Sequence, residues 1–318
     1  MGAIVNFSHL LLIFYLLVIP LSQAEQIRFS KKDLGDKIQF NYQWLDIDKQ
    51  EQNLRFVLAK SAVFDRFRQF KSYKSEFSEA YIHKELKTCI QEKPLKGVKV
   101  SFEKLAGHTY ANVTGKSPDD VNAAYGEIKK LQTKFLDQYL AQNNYQRFKN
   151  FNGVNAIRPN HVAIAAQSTE DLTVLKKLIL DKVAVENIRK VTNFVLGFVQ
   201  SIPYSKLQSR ITSSGAGFVP PLSLLYQNQG DCDSKVTLTA AILRSLMPRI
   251  GMVIVYIDQH ALLGINSSPR GDDLSIMVDG TPYLLAEPTG PALYNLGEVA
   301  DFSKRAVLAG LYSTDKFK

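Results

Sequence analysis

Between residues 37 and 44 polar and apolar side chains alternate, with Ile38, Phe40, Tyr42 and Trp44 on one side and Lys37, Gln39, Asn41 and Gln43 on the other. A period of two is that of a half-buried strand, because successive side chains of an extended backbone point to opposite faces. Leu54, Phe56 and Leu58 repeat it after a polar connection, which predicts a hairpin. The period then lengthens: Phe64, Phe67, Phe70, Phe77 and Tyr81 recur at three- and four-residue steps or their multiples, predicting a helical stripe between Val63 and Ile90 that serves as core. Val98, Val100 and Phe102 read as a strand that turns at Ala106-Gly107 into another through Tyr110 and Val113. Ser117-Pro118-Asp119-Asp120 opens a helix with Pro early and acids in the first turn, and Val121, Tyr125, Ile128, Leu131, Phe135 and Tyr139 line one side of it.

The composition shifts at Asn150 to Gly153, which predicts an amino-terminal α+β domain over residues 25–150 and a second domain over 151–318. In the second part His161 to Ala166 reads as a short strand or extended segment, Ser168 to Asp181 as a helix, Val185 to Gln200 as another, and Ser209 to Pro221 as a loop rich in Gly, Ser and Pro. Gly230 and Asp231 form a turn and a helix cap, and Val236, Ala240, Leu243 and Met247 give the following helix a buried face. Gly251 to Ile257 is a β-branched run, His260 to Ile265 a second strand, and Leu274 to Val278, the turn Asp279-Gly280 and Tyr283 to Ala286 a further hairpin. The fold class predicted is α+β, an amino-terminal sheet-plus-helix unit followed by a nucleophile-bearing helix packed on an antiparallel sheet.

A 45% hydrophobic fraction over 318 residues is ample for a packed core. Residues 1–24 carry no charged side chain, and Leu10 to Pro20 is apolar but too short to span a bilayer, which suits a secretory signal cleaved before Glu25. A basic leader region is missing, so an uncleaved anchor is the alternative and would be the only membrane attachment. Either way the chain is expected to be exported, to the periplasm or cell envelope. The net charge of +9 is scattered among acids along the helices, with no Arg-rich arm and no basic-aromatic interleaving, which argues against nucleic acid as a partner. Two cysteines could form one disulfide in an exported protein, but Cys89 sits in a helical pattern as a small hydrophobe while Cys232 has the surroundings of a reactive thiol. His83, His108 and His161 lack ligand spacing, so neither zinc nor another cofactor is expected. Asn112-Val113-Thr114 matches a glycosylation acceptor, a match common by chance.

Cys232 falls in the first turn of its helix, where unsatisfied backbone N–H groups favour thiolate over thiol. Asp231 and Asp233 oppose that, so a cationic partner is needed, and His260 is the only histidine downstream. Glu287, closing the last strand, would orient and stabilise the imidazole. The segments Gly230-Asp231-Cys232-Asp233, His260-Ala261-Leu262-Leu263-Gly264 and Ala286-Glu287-Pro288-Thr289 together resemble the transglutaminase-like branch of the papain-type superfamily of cysteine peptidases, with Glu287 where well-known members carry Asp. The likeness runs over about residues 185–297 and includes Phe198 to Tyr204, similar to the helix end before the active-site loop of that family. It implies a thiol amide hydrolase (peptidase or amidase) with protein or peptide substrates, Cys232 as nucleophile, His260 as base and Glu287 as its orienter, passing through a thioester. Gln227 and Gln229 are the candidate side-chain donors to the oxyanion, beside the backbone N–H of Cys232. Acyl transfer to an amine, and a non-catalytic scaffold that holds an envelope partner, are the alternatives. A calcium role for Asp231 and Asp233 is suggested only by analogy with calcium-dependent proteases of the broader superfamily.

Overall fold

The computed structural model describes residues 24–184, 186–208 and 217–317. It is a mixed α+β protein with antiparallel sheets. The expected signal segment and most of the expected Ser209 to Pro221 loop lie outside the described residues. Among the described residues no helix is long and apolar enough to cross a membrane.

The chain opens with a three-stranded antiparallel sheet, β1 (Glu25–Asp33), β2 (Lys37–Leu45) and β3 (Glu51–Ala59), in that order. The alternation in β2 buries Ile38, Phe40, Tyr42 and Trp44, and the register sets Phe40 opposite Phe56 with ring centroids 5.3 Å apart. Strand β1 has no legible alternation because all of it is exposed or half-buried.

The helix expected from Val63 to Ile90 is broken. Helix α1 (Lys60–Phe64) stops early and α2 (Ser75–Glu92) begins eleven residues later, with turns and extended chain between. Phe70 explains the break, since it leaves the helical stripe to stack on Tyr145 at 5.4 Å and meet Phe218 edge-on at 5.6 Å. Phe77, placed on the same stripe by spacing, is 61% exposed. Strands β4 (Val98–Leu105) and β5 (His108–Gly115) form the expected hairpin, with Ala106 and Gly107 both at positive φ as a two-residue turn of the I′ kind requires. Ser117 caps α3 (Pro118–Gln142) by accepting from the Asp120 N–H, and α2, α3 and this hairpin close a core of their own around Leu86, Ile128 and Phe135.

The stretch expected as a domain boundary is the loop of a hairpin, β6 (Tyr145–Lys149) with β7 (Asn155–Pro159). Asn150 accepts from the Val154 N–H at 2.8 Å and Gly153 takes positive φ, so turn chemistry had the composition of a linker. The next expectation also changes: His161 to Ala166 is the body of helix α4 (His161–Ser168), started by Asn160 accepting from the Ala163 N–H at 3.0 Å. The five-residue apolar run Val162 to Ala166 cannot separate a buried strand from a buried helix by period alone. A 3₁₀ turn at Asp171–Thr173 leads into α5 (Val174–Leu180), and Asn187 caps α6 (Ile188–Ser201).

Helices α7 (Pro221–Gln227) and α8 (Cys232–Leu246) precede β8 (Met252–Ile257), β9 (His260–Asn266), β10 (Ser275–Val278) and β11 (Thr281–Ala286), then α9 (Asp301–Leu308) and β12 (Ser313–Lys316). These strands form one antiparallel sheet in the order β10-β11-β9-β8-β12, with its central strands almost wholly buried. The core does not divide at residue 150. Phe198 of α6 meets Tyr42 edge-on at 5.0 Å and packs on Trp44 at 5.3 Å, and the Tyr42 hydroxyl donates to the Leu225 carbonyl at 2.6 Å. The first sheet, α6, α7, α8 and the face of β8 and β9 that meets them therefore belong to one continuous apolar cluster that fixes α8 against the sheet carrying His260.

Candidate active site

The start of α8 is set by its neighbours. A Cβ at Gly230 would sit 2.6 Å from Leu224 Cδ1, so any larger residue would have to displace that buried side chain of α7. Gly230 bridges to the segment at Tyr204, donating to the Pro203 carbonyl and accepting from the Ser205 N–H. Asp231 is extended, and its carboxylate accepts from the Ser234 N–H at 3.0 Å, the cap expected from sequence. Cys232 is thereby the first helical residue, buried but lining a cavity of about 490 Å³ that His260 also lines.

His260 is the first residue of β9, and Glu287 directly follows β11, the strand paired beside it. Imidazole Nε2 lies 3.0 Å from Glu287 Oε1, and Glu287 Oε2 accepts from the Ala300 N–H at 2.8 Å. Both carboxylate oxygens are thus engaged, and an acceptor facing Nε2 places the ring proton there, leaving the Nδ1 lone pair for another task. Phe302 of α9 packs on the imidazole with centroids 5.1 Å apart, so α9 supplies both a hydrogen bond and an apolar cover to the pair.

The sulfur itself reaches the carbonyl of Gln259, the residue before the histidine, at 3.8 Å and Asp233 Oδ1 at 3.9 Å. Among the described residues it makes no hydrogen bond with the imidazole. Gln259 has φ 51, an uncommon conformation for a residue with a side chain, in the tight turn joining β8 to β9. Burial pushes the Cys232 thiol up to about 12, helped by Asp233 and Asp231, while the backbone N–H groups of Asp233 and Ala261 pull it the other way. The expected helix-end lowering is outweighed here, so without a proton acceptor this thiol is protonated at neutral pH.

Burial raises Asp231 to about 7, with Asp233 adding to the effect and the bonds to Ser234 opposing it. Lys235, one turn along and fully buried, donates to the Ile202 carbonyl, and burial lowers it to about 7 against the pull of Asp231. Folding therefore tightens proton binding at Asp231, and the stability that this proton contributes is full below about pH 4 and lost as pH rises towards 7. Asn is as good a cap as Asp, so Asp231→Asn keeps the hydrogen bond and removes the charge. Thermal unfolding should show this variant more stable than the native protein at pH 8, by up to about 4 kcal/mol, with the gap closing at pH 4.

Neither Gln227 nor Gln229, the two expected oxyanion donors, is among the residues lining the cavity around Cys232. Gln227 ends α7 with its Oε1 buried and unpartnered among the described residues. Tyr204, which sequence reasoning passed over as part of a helix end, does line the cavity; burial raises its phenol, with the Cys232, Asp231 and Asp233 charges adding. His161, also set aside, lies behind Asp233 with Nε2 3.9 Å from Asp233 Oδ2 and Nδ1 2.8 Å from the Tyr256 hydroxyl. Among the described residues no group of three or more His, Cys, Asp or Glu could hold a metal ion, and Asp231 Oδ1 is engaged as the helix cap. Cys89 and Cys232 are both free thiols. No family model, curated protein or solved structure matches this chain.

Proposed function

We propose that the protein is a thiol-dependent amide hydrolase, a peptidase or amidase in which Cys232 is the nucleophile, His260 the base and Glu287 its orienter, on a helix-against-sheet arrangement like that of transglutaminase-like, papain-type enzymes. The observation that carries the reading is the imidazole whose Nε2 is held by a carboxylate, itself held by the Ala300 N–H, on the wall of the cavity that Cys232 opens into. A surface histidine has no need of so constrained a partner.

In the proposed reaction Nδ1 of His260 takes the Cys232 proton as sulfur attacks the amide carbonyl carbon. The C–S bond forms, the carbonyl electrons move to oxygen, and the backbone N–H groups near the sulfur are the nearest donors to that oxyanion. The C–N bond then breaks, the imidazolium gives its proton to the leaving amine, and water activated by the same imidazole hydrolyses the thioester, restoring the thiol and releasing a carboxylic acid. Peptides of the periplasm or cell envelope are the proposed substrates, following from the proposed export.

The test is an electrophilic thiol probe on the purified protein, followed by comparison of envelope peptides from cells making native protein and cells making Cys232→Ala. Labelling confined to Cys232 and uncut peptides accumulating with the variant are the expected results. Equal labelling of Cys89 and Cys232, with unchanged peptides, would remove the enzymatic reading.

A further inference from the structure

We propose that the cavity selects an amide substrate bearing an ammonium group close to the bond to be cut, held by the carboxylate of Asp233. The inference rests on the thiol reading above and adds a substrate class to it.

Asp233 presents an anion beside the nucleophile. Its side chain is 35% exposed, Oδ1 lies 3.9 Å from the Cys232 sulfur and Oδ2 3.9 Å from His161 Nε2, and among the described residues neither oxygen has a closer polar partner. An imidazolium at His161 would neutralise this charge, but the burial of that ring favours its neutral form. The Asp315 carboxylate accepts from Arg158 at 2.6 Å, from Gln146 at 2.5 Å and from the Tyr256 hydroxyl at 3.3 Å. The Tyr256 hydroxyl has a single proton to give and stands between Asp315 at 3.3 Å and His161 Nδ1 at 2.8 Å. His161 Nε2, on a side chain 1% exposed, is buried and makes no hydrogen bond among the described residues; it is turned to Asp233 at 3.9 Å, too far to hydrogen-bond that carboxylate. Burial is the largest influence on a second proton there and disfavours it; the Asp233 and Asp315 carboxylates pull the other way, the Arg158 guanidinium, stacked on Tyr256 at 3.5 Å, sides with burial, and the net effect is downward. Asp233 is left with the N-terminus of α8 as its fixed compensation and with no cationic side chain at hydrogen-bond distance among the described residues.

Such an anion hinders a thiol enzyme, because it opposes formation of the thiolate 3.9 Å away. A cation bound at Asp233 removes the hindrance, so the substrate itself would complete the electrostatics that the nucleophile needs. Of the other charged groups facing the cavity, Asp258 and Asp231, the latter partly protonated near neutral pH, add to the acids, Arg158 is spent on Asp315, and Lys206 and His260 are the other bases among the described residues. That acidic balance stands in a chain of net charge +9.

The probes are three small alkylators of different charge, 2-bromoethylammonium, iodoacetamide and bromoacetate, applied at low ionic strength to protein carrying Cys89→Ser, with N-acetylcysteine as reference. The ratio of ammonium to neutral rate at Cys232 is expected to exceed the reference ratio about tenfold, bromoacetate to be disfavoured, and added salt to shrink both effects. Asp233→Asn should bring the ratio down to the reference, while Asp233→Glu retains most of it. A native ratio no larger than the reference, or one indifferent to salt, overturns the proposal even should the Asn variant fail to fold. The thiol reading fails separately: a native iodoacetamide rate unaffected by His260→Ala sinks that chemistry, whereas loss of charge preference with His260 dependence intact sinks only the substrate class.

Discussion

His260→Ala is expected to slow alkylation of Cys232 by iodoacetamide at neutral pH by at least about a hundredfold, the low end of what a positioned base contributes. The reason lies in the sulfur's own surroundings. Burial and two flanking carboxylates push the thiol up to about 12, so a Cys232 left to itself holds almost no thiolate near pH 7. Any useful reactivity must come from handing the proton to a neighbour, and the imidazole at the head of β9 is the group whose free nitrogen is available for it. Stopped-flow alkylation, with the labelled residue identified by mass spectrometry, reads the rate directly. Unchanged melting behaviour would show that the truncation had not simply loosened the sheet.

Glu287→Gln should cost a comparable factor, about 10²–10⁴ in turnover once a substrate is in hand, because it disturbs the tautomer rather than the shape. The native carboxylate accepts at both oxygens, from His260 Nε2 and from the Ala300 N–H. A carboxamide has one oxygen and one NH₂ to offer. With the oxygen towards Ala300, the NH₂ faces Nε2, which must then become the acceptor, and the ring proton moves to Nδ1 where the base is needed. With the oxygen towards the ring, the NH₂ opposes the Ala300 N–H and unsettles the start of α9, which also carries the Phe302 cover of the imidazole. A pH-dependent NMR signature of the His260 ring protons, compared between native protein and variant, would distinguish the tautomer exchange from a general loss of structure.

The elements that sequence made legible are those whose period and punctuation are local. Asp231 as cap with Cys232 as first helical residue, His260 opening a strand, Glu287 following one, and the hairpins turning at Ala106-Gly107 and Asp279-Gly280 all follow from a few neighbouring residues. Turn chemistry also misled, since Asn150 to Gly153 has the composition of a linker and closes a hairpin instead. Helix α4 stands where the pattern predicts a short strand or extended segment, because the five apolar residues Val162 to Ala166 are compatible with either, and tertiary burial against α8 decides it.

The site's electrostatics were less legible than its members. That the flanking acids oppose the thiolate was readable from their adjacency, but the extent of burial that carries the thiol to about 12 was not. The chain of Arg158, Asp315, Tyr256 and His161 gathers residues from four elements and leaves no spacing signal. Gln227 and Gln229 were singled out for nearness in sequence to Cys232, yet the cavity is lined instead by Tyr204, Gln259 and the β6–β7 loop. Nearness along a chain does not fix direction where a helix end and a tight glycine turn intervene.

The full pH–rate profile of Cys232 alkylation in the native protein puts the proton-sharing claim to its most direct test. A Cys232–His260 pair predicts a reactive limb at neutral pH or below, far under the value of about 12 set by the thiol's buried surroundings, and its disappearance in His260→Ala. A single rise at strongly alkaline pH, identical in the two proteins, would show that the sulfur and the imidazole share a cavity without sharing a proton.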